Sequence, residues 1–157
     1  MTIWRMIVHH TDKPAAIEWT RKNRRIAIGW GDIGDVAAYG AKADIKNAIK
    51  TRYLPPHPNN GGSGSESLWS FCHDVQIGDL VILSGDKSRE LVVEVTGDYE
   101  YVEAKPPLFG EYNNQRKIEV TEYDGNTLWE AAGGLEIGVS RYRTLVKCQR
   151  AVDVDAL

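Results

Sequence analysis

Residues 26–35 read Ile-Ala-Ile-Gly-Trp-Gly-Asp-Ile-Gly-Asp, and this stretch decides between two folds. A short apolar strand precedes the pattern G-x-G-x-x-G, which in dinucleotide-binding folds brings the backbone close to a pyrophosphate. That fold also needs a βαβ unit and an acidic residue about 20 positions further on. Residues 50–56 instead read Lys-Thr-Arg-Tyr-Leu-Pro-Pro, without a carboxylate and with a proline pair where a parallel strand should run. The stretch therefore predicts a strand end, a glycine-assisted turn and an indole, Trp30, at the rim.

Hydrophobic periodicity over the rest of the chain predicts strands mixed with helices. Apolar runs predict strands at 3–8, 26–29, 79–83, 89–95, 116–123 and 143–148. Helical spacing predicts a helix opened by Pro14, an amphipathic helix over 43–53, a helix after the capping box Ser63-x-x-Glu66 and a helical turn over 128–132. Turns are predicted at 84–87 and a Pro- and Gly-rich loop at 54–65. Hairpin-connected strands with interspersed helices predict an α+β barrel, not a doubly wound sheet.

The composition is that of an ordinary globular protein. The 157 residues are 42% hydrophobic and 26% charged, enough for one domain over 1–157 with one core. No apolar run approaches the ~20 residues of a membrane span, and the sequence starts without a secretory leader pattern. Two cysteines, Cys72 and Cys148, do not make a disulfide framework. We expect a cytoplasmic protein without a cofactor or a membrane partner.

Further motifs follow the opening stretch in a set order. They are L-W-x-F at 68–71, G-D-x-V at 78–81, V-x-G-x-Y-x-Y at 95–101 and R-K-I at 116–118. Together with 26–35 this order resembles the EVE-like branch of the PUA-like superfamily, in particular the N-terminal specificity domains of modification-dependent restriction endonucleases. The resemblance extends over 26–123. It implies a small mixed β-barrel with flanking short helices that takes a flipped, modified base into an aromatic-walled pocket, as related readers of methylated adenine in RNA do.

Aromatic residues are the candidates for the walls of that pocket, because a flipped base needs flat surfaces on which to stack. Trp30 is the first candidate, at a strand end between glycines. Trp69 is a second, although its helical spacing with Leu68 and Phe71 equally predicts a core position. Tyr99 and Tyr101 alternate, so both face one side of a strand. Three other tryptophans are predicted in the core: Trp4, Trp19 and Trp129.

Polar readout of the base is assigned to Asp32 and Asp35, which closely follow Trp30 in the sequence. A carboxylate can accept a hydrogen bond from an exocyclic amine, although an Asp at such a turn more commonly caps the next helix. Asn113 and Asn114 are predicted in a loop from which they could probe the duplex.

The net charge of −3 is unevenly distributed. Residues 1–52 carry +5 and residues 53–157 carry −8. The densest basic cluster is Arg21, Lys22, Arg24 and Arg25, which either holds phosphates or is solvated surface. Arg116 could meet a phosphate or a carboxylate on a paired strand.

Catalytic and metal-binding patterns are weak. The single E-x-K match, Glu103-Ala-Lys105, precedes Pro106-Pro107, and Glu94 lies in a buried-looking strand without a lysine. The histidines lack metal-ligand spacing: His9 and His10 are adjacent, and His57 and His73 stand without partners at ligand distance. Cys72 and His73 are also adjacent and do not form a thiol pair. We therefore expect no catalytic or metal residues.

The sequence thus predicts a nucleic-acid-binding reader of a modified base, with DNA favoured over RNA. It would be the targeting module of a restriction or defence system whose nuclease is a separate domain or subunit. Three alternatives remain open: an RNA reader of the same fold, a sensor of modified nucleosides or other small molecules, and a weak nuclease.

Overall fold

The computed structural model describes residues 1–53, 60–86, 88–104 and 110–157. Within these ranges seven strands form one curled sheet, a half-barrel, and four helices pack around it. Several positions named above lie outside the described residues: the first half of the 54–65 loop with His57, Lys87 of the predicted turn, Lys105 and the pair Pro106-Pro107.

The helices and strands have the following bounds. The strands are β1 (Ile3–Ile7), β2 (Arg25–Ile28), β3 (Leu80–Gly85), β4 (Ser88–Val95), β5 (Glu100–Tyr101), β6 (Asn114–Val120) and β7 (Leu145–Lys147). The helices are α1 (Lys13–Asn23), α2 (Lys42–Arg52), α3 (Asn60–Trp69) and α4 (Gly125–Ala132). Two 3₁₀ turns, Gly31–Ile33 and Val36–Ala38, follow β2, and a π-helical turn, Ser70–Asp74, continues α3.

The strand order confirms a mixed α+β architecture. The spatial order is β2-β6-β4-β3-β1-β7, and β5 pairs with β6. β1 and β3 run parallel, whereas the other strand pairs among the described residues are antiparallel. The partner of β2 is antiparallel β6, so the glycine pattern after β2 does not open the βαβ unit of a dinucleotide fold.

Strand β3 lies inside the sheet, and both faces of the sheet are buried at this strand. Successive side chains of a strand point to opposite faces. Val81 and Leu83 accordingly lie in the larger cluster with Ile45 and Ile49 of α2 and parts of α3, whereas Leu80 and Ile82 lie in a second cluster with α4. This explains why β3 is continuously apolar instead of alternating.

Helices α1 and α2 form as their sequence patterns predict. The Asp12 side chain accepts the Ala15 N–H at 3.2 Å and caps α1. Arg24 ends α1 in the left-handed region, at φ 54°. On α2 the apolar stripe is buried through Ile45 and Ile49, and the lysines point outward.

The prediction of a loop up to residue 65, with a capping box at Ser63-x-x-Glu66, is wrong where α3 begins. The helix begins at Asn60, so Ser63 lies inside it, and Glu66 pairs with Lys42 of α2 at 3.0 Å instead of capping. Each glycine in a helix costs about 1 kcal/mol relative to alanine, so local propensity opposes this start. Packing against α2 overrides it, because Gly64 lets Trp30 and Ile49 approach the helix backbone.

The start of β6 and the β3–β4 turn also differ from prediction. β6 begins at Asn114, two residues earlier than predicted, because it pairs with both β2 and β5 there. Asn113 and Asn114 are therefore buried and do not probe a groove. The hairpin is tighter than the predicted 84–87 turn, since Gly85 is paired with Ser88.

Candidate functional site

The segment Gly29–Asp35, here called the glycine loop, follows β2. Its backbone passes close to the backbone at Glu111. The Gly31 N–H donates to the Glu111 carbonyl at 2.9 Å. A β-carbon on Gly31 would lie 1.9 Å from Oδ1 of Asn113 and 2.3 Å from the Glu111 carbonyl oxygen. Only glycine fits at this position.

Trp30 is held in the left-handed region within this loop. Its φ of 60° is rare for a bulky residue. The indole is half-buried at the edge of the larger core cluster. The ring lies against the backbone of α3 at Gly64, a point that Ile49 of α2 also approaches.

Tyr99 and Tyr101 hold the glycine loop through their hydroxyls. Tyr101 donates to the Gly31 carbonyl at 2.9 Å. Tyr99 accepts the Val36 N–H at 3.0 Å and donates to Oδ1 of Asn114 at 2.7 Å. The Asn114 amide in turn donates to the Gly29 carbonyl at 2.8 Å. Burial raises the pKa of Tyr99 above its ordinary value, so its hydroxyl stays protonated as this network requires.

The two aspartates of the loop have different surroundings. Asp32 forms an ion pair with Arg52, and its N–H donates to the Tyr53 hydroxyl at 3.3 Å. Tyr53 donates to the Glu111 carboxylate at 2.5 Å, and burial raises the pKa of this phenol. Asp35 is exposed and caps the next 3₁₀ turn by accepting the Ala37 N–H at 2.9 Å, the capping role considered from the sequence.

Trp69 is not placed against Trp30. It lies five residues after Gly64 on α3, which is about 140° around the helix axis from the face that supports Trp30. Its ring instead contacts His73, with centroids 4.1 Å apart, and packs on the larger core cluster. The structure therefore favours the core interpretation of Trp69.

Arg116 is buried and does not lie where the predicted contact with a nucleic-acid phosphate would need it. Its side chain is 3% exposed, and its described hydrogen bonds go to backbone carbonyls and not to a carboxylate on a paired strand. It donates to three carbonyls: Phe71 at 3.1 Å, Val75 at 2.6 Å and Gly97 at 3.0 Å. The Phe71 carbonyl lies within the π-helical turn Ser70–Asp74 and the Val75 carbonyl directly follows it, near the C-terminal end of the helical segment, where a cation is favourable. Burial lowers the pKa of Arg116.

The predicted basic cluster is only partly available. Arg21, Lys22 and Arg24 are exposed at the end of α1, and among the described residues their side chains have no ion-pair partner. Arg25 is bound to Glu100 at 2.6 Å. The exposed members of the cluster precede β2 and Trp30 follows it, and the four residues of β2 span about 10 Å at ~3.3 Å per residue.

The residues considered for catalysis are dispersed. Glu94 faces Glu119 across the β4–β6 pair, and Glu103 is exposed after β5. The His9 ring stacks on Tyr112, with centroids 4.9 Å apart. In the described parts of the chain, no three His, Cys, Asp or Glu side chains are grouped so that they could hold a metal ion. None of the described helices combines the length and the apolar character of a membrane span.

Sequence reasoning missed the residues that support the loop: Tyr53, Gly64, Glu111 and Asn114. The hydrophobic pattern gave no signal for Asn114. The alternation of apolar and polar residues begins only at Ile118, because residues 114–117 are all polar.

Comparison with known proteins gives one family. No curated protein matches the chain. A family described as "Domain of unknown function (DUF8426)" matches residues 4–127, which include the glycine loop, Tyr99, Tyr101 and Arg116. Because the match covers most of the chain, this protein belongs to the DUF8426 family.

Proposed function

We propose that this protein reads a modified base in nucleic acid, most favourably in DNA, as an EVE-like domain of the PUA-like superfamily. The observation that carries the proposal is Trp30, a half-buried indole held at φ 60° on an anchored loop. The left-handed region costs an L-residue roughly 1–2 kcal/mol, and strain of this kind concentrates at functional sites. A loop that keeps a tryptophan there supports a role for its ring beyond packing.

The proposed chemistry is stacking combined with edge readout. A base extruded from its helix stacks on the accessible face of Trp30, which is worth roughly 1–3 kcal/mol. The Asp32 carboxylate, beside Trp30 and oriented by Arg52, accepts from an exocyclic amine of the base. Tyr99 and Tyr101 act as positioning residues, because their hydroxyls fix the loop.

Phosphate contacts are proposed for the exposed cations Arg21, Lys22 and Arg24. β2, which spans about 10 Å at ~3.3 Å per residue, separates them from Trp30, so the phosphates they hold belong to nucleotides away from the extruded base. Arg25 contributes less, since Glu100 already neutralises it.

Cleavage is proposed to belong to a separate domain or subunit of a restriction or defence system. Glu94 is followed by Val95-Thr96 and not by the lysine of an E-x-K pattern, and Lys105 of Glu103-Ala-Lys105 lies outside the described residues. A purified preparation should leave DNA and RNA intact with magnesium or manganese present. Cutting that disappears in Glu94→Ala or Glu103→Ala would contradict this part of the proposal.

The test is a binding panel of short DNA and RNA duplexes, each with and without a common base modification. A fluorescent base analogue opposite the modified position should brighten on binding, because its partner leaves the stack. Placing the modified base in a mismatch should tighten binding, since extrusion is then easier. Trp129→Phe, a tryptophan on the other face of the sheet, is the control for Trp30→Ala. Equal affinity for modified and plain duplexes, or no brightening, would overturn the proposal.

A further inference from the structure

A cavity of about 520 Å³ opens beside the π-helical turn Ser70–Asp74. We call it the Arg116 cavity; Cys72, Gln76, Asp98 and Tyr99 are among the residues that line it together with Arg116. Its volume lies in the range of small-molecule sites. Trp30 is not among the described residues that line it, whereas Tyr99, which positions the glycine loop, is shared by the two proposed sites.

The inner wall of the cavity holds a fixed hydrogen-bond donor. Arg116 uses Nε and Nη1 on three backbone carbonyls, which leaves Nη2 without a partner among the described residues. Because Arg116 is 3% exposed and fastened by those bonds, Nη2 is held in place with little freedom to lose on binding. Nη2 is not among the buried side-chain atoms that lack a hydrogen-bond partner, so this donor is accessible from the cavity and available to a ligand.

An acceptor lies at the rim of the same cavity. Asp98 is exposed, and its carboxylate has no hydrogen bond or ion pair within the described residues. Its charge acts on Arg116 and raises the pKa of the guanidinium, against the larger lowering by burial. The cavity therefore presents one donor next to a carboxylate with two acceptor oxygens.

An aromatic ring and an apolar side chain line the same cavity. The Tyr99 ring is fixed by its hydroxyl bonds and by an edge-to-face contact with Phe71, whose centroid is 6.3 Å away. Ile77 also lines the cavity and is 58% exposed. A planar ring placed here would cover apolar surface while its edge meets the polar groups.

We propose that the Arg116 cavity is a guanine-binding site. Guanine offers a carbonyl acceptor, O6, beside two adjacent donors, N1–H and the 2-amino group. O6 accepts from Nη2 of Arg116, the two donors meet the Asp98 carboxylate, and the ring stacks on Tyr99. The guanine comes either from a free nucleoside or from an unpaired position of a bound strand. This inference is independent of modified-base reading at Trp30.

The test uses Cys72, which lines the cavity and is half-buried, as a reporter. Burial raises the pKa of its thiol to about 11, so alkylation is followed under mildly alkaline conditions. Guanosine should slow the labelling of Cys72, and inosine, which lacks the 2-amino group, should need about tenfold more ligand. Cys148 is 2% exposed and serves as the internal control for unfolding. Short single strands with and without one guanine distinguish the two sources.

A change in ligand preference provides a second test of the guanine site. Asp98→Asn should weaken guanosine binding about tenfold and improve xanthosine binding, because an amide can donate to the second carbonyl of xanthine. Glu122→Gln, an exposed carboxylate elsewhere, is the matched control and should change neither. Equal protection of Cys72 by guanosine, inosine and adenosine, or an unchanged ligand preference in Asp98→Asn, would overturn the inference. If Trp30 does not discriminate modified from plain nucleic acid, the inference of a guanine site is unaffected.

Discussion

Gly64 and Trp30 are in direct contact across the α3–loop boundary: a β-carbon on Gly64 would lie 2.9 Å from Cε2 of Trp30. The same β-carbon would lie 3.0 Å from Cδ1 of Ile49. Because Gly64 has no β-carbon, the Trp30 indole can pack directly on the backbone of α3.

Gly64→Ala should therefore displace Trp30 and destabilise the protein by about 1–3 kcal/mol, the scale of overpacking. Gly62→Ala, on the same helix, has nothing within 4 Å of the added carbon and should stabilise by roughly 0.5–1 kcal/mol through helix propensity. Chemical denaturation of both variants, with tryptophan fluorescence as the second readout, checks this pair. Equal stability of the two variants would show that the contact at residue 64 is loose.

Replacing Trp30 separates its binding role from its packing role. Trp30→Ala should remove discrimination between modified and plain nucleic acid and cost about 2 kcal/mol, less than the 3–5 kcal/mol of a fully buried Trp. Trp30→Gly should be more stable than Trp30→Ala by roughly 1 kcal/mol, because glycine adopts φ 60° without strain. Melting and binding are measured on the same samples. Collapse of the fold in both variants would mean that Trp30 is a core residue.

Neutralising Arg21, Lys22 and Arg24 together should weaken binding to modified and unmodified strands about equally, since phosphate contacts position without specifying. The slope of log affinity against log salt on duplex DNA should decrease by up to about 0.9 per lost contact. Arg25→Gln should change that slope less, because Glu100 already pairs with Arg25. An unchanged slope in the triple variant would identify these residues as solvated surface.

Arg116→Ala should destabilise the fold by about 3 kcal/mol or more, since it leaves three carbonyls near the π-helical turn without their donor. Arg150→Ala is the matched control. This exposed arginine donates to the carbonyls of Glu130 and Ala131, and water can replace it. A small effect of Arg116→Ala, comparable to that of Arg150→Ala, would contradict the structural role given to Arg116.

His9 should make stability depend on pH below neutrality. Its Nδ1 accepts the N–H groups of Thr11 at 3.1 Å and Asp12 at 2.9 Å, which only the neutral ring can do. Burial lowers the pKa of His9 below 6.5, with the charge of Asp12 opposing this, and burial also lowers the pKa of His10. The unfolded chain then binds more protons just below pH 6.5, so stability is lost as the pH falls through that range. Urea titrations between neutral and acidic pH should show a shallower decline in His9→Asn.

Much of the secondary structure could be predicted from the sequence. Period-2 and continuous apolar runs identified β1, β2, β3 and β4, and helical spacing identified α2, because these signals are local. The glycine pattern with Trp30 correctly indicated a strand end and a sharp turn. The roles of Tyr99 and Tyr101 could not be read in the same way, since their hydroxyls meet a segment more than 60 residues away in sequence.

The sequence by itself determined that this is a mixed α+β chain with a glycine loop that carries a tryptophan at the end of a strand. It could do so because periodicity and glycine content act over a few residues. Only the tertiary structure decided that α3 begins at Asn60, that Arg116 is buried on carbonyls and that Trp69 is turned away from Trp30. Each of these outcomes depends on a partner far along the chain. Packing and the pairing of buried polar groups outweigh local propensities of about 1 kcal/mol, and neither can be read from the residues on either side.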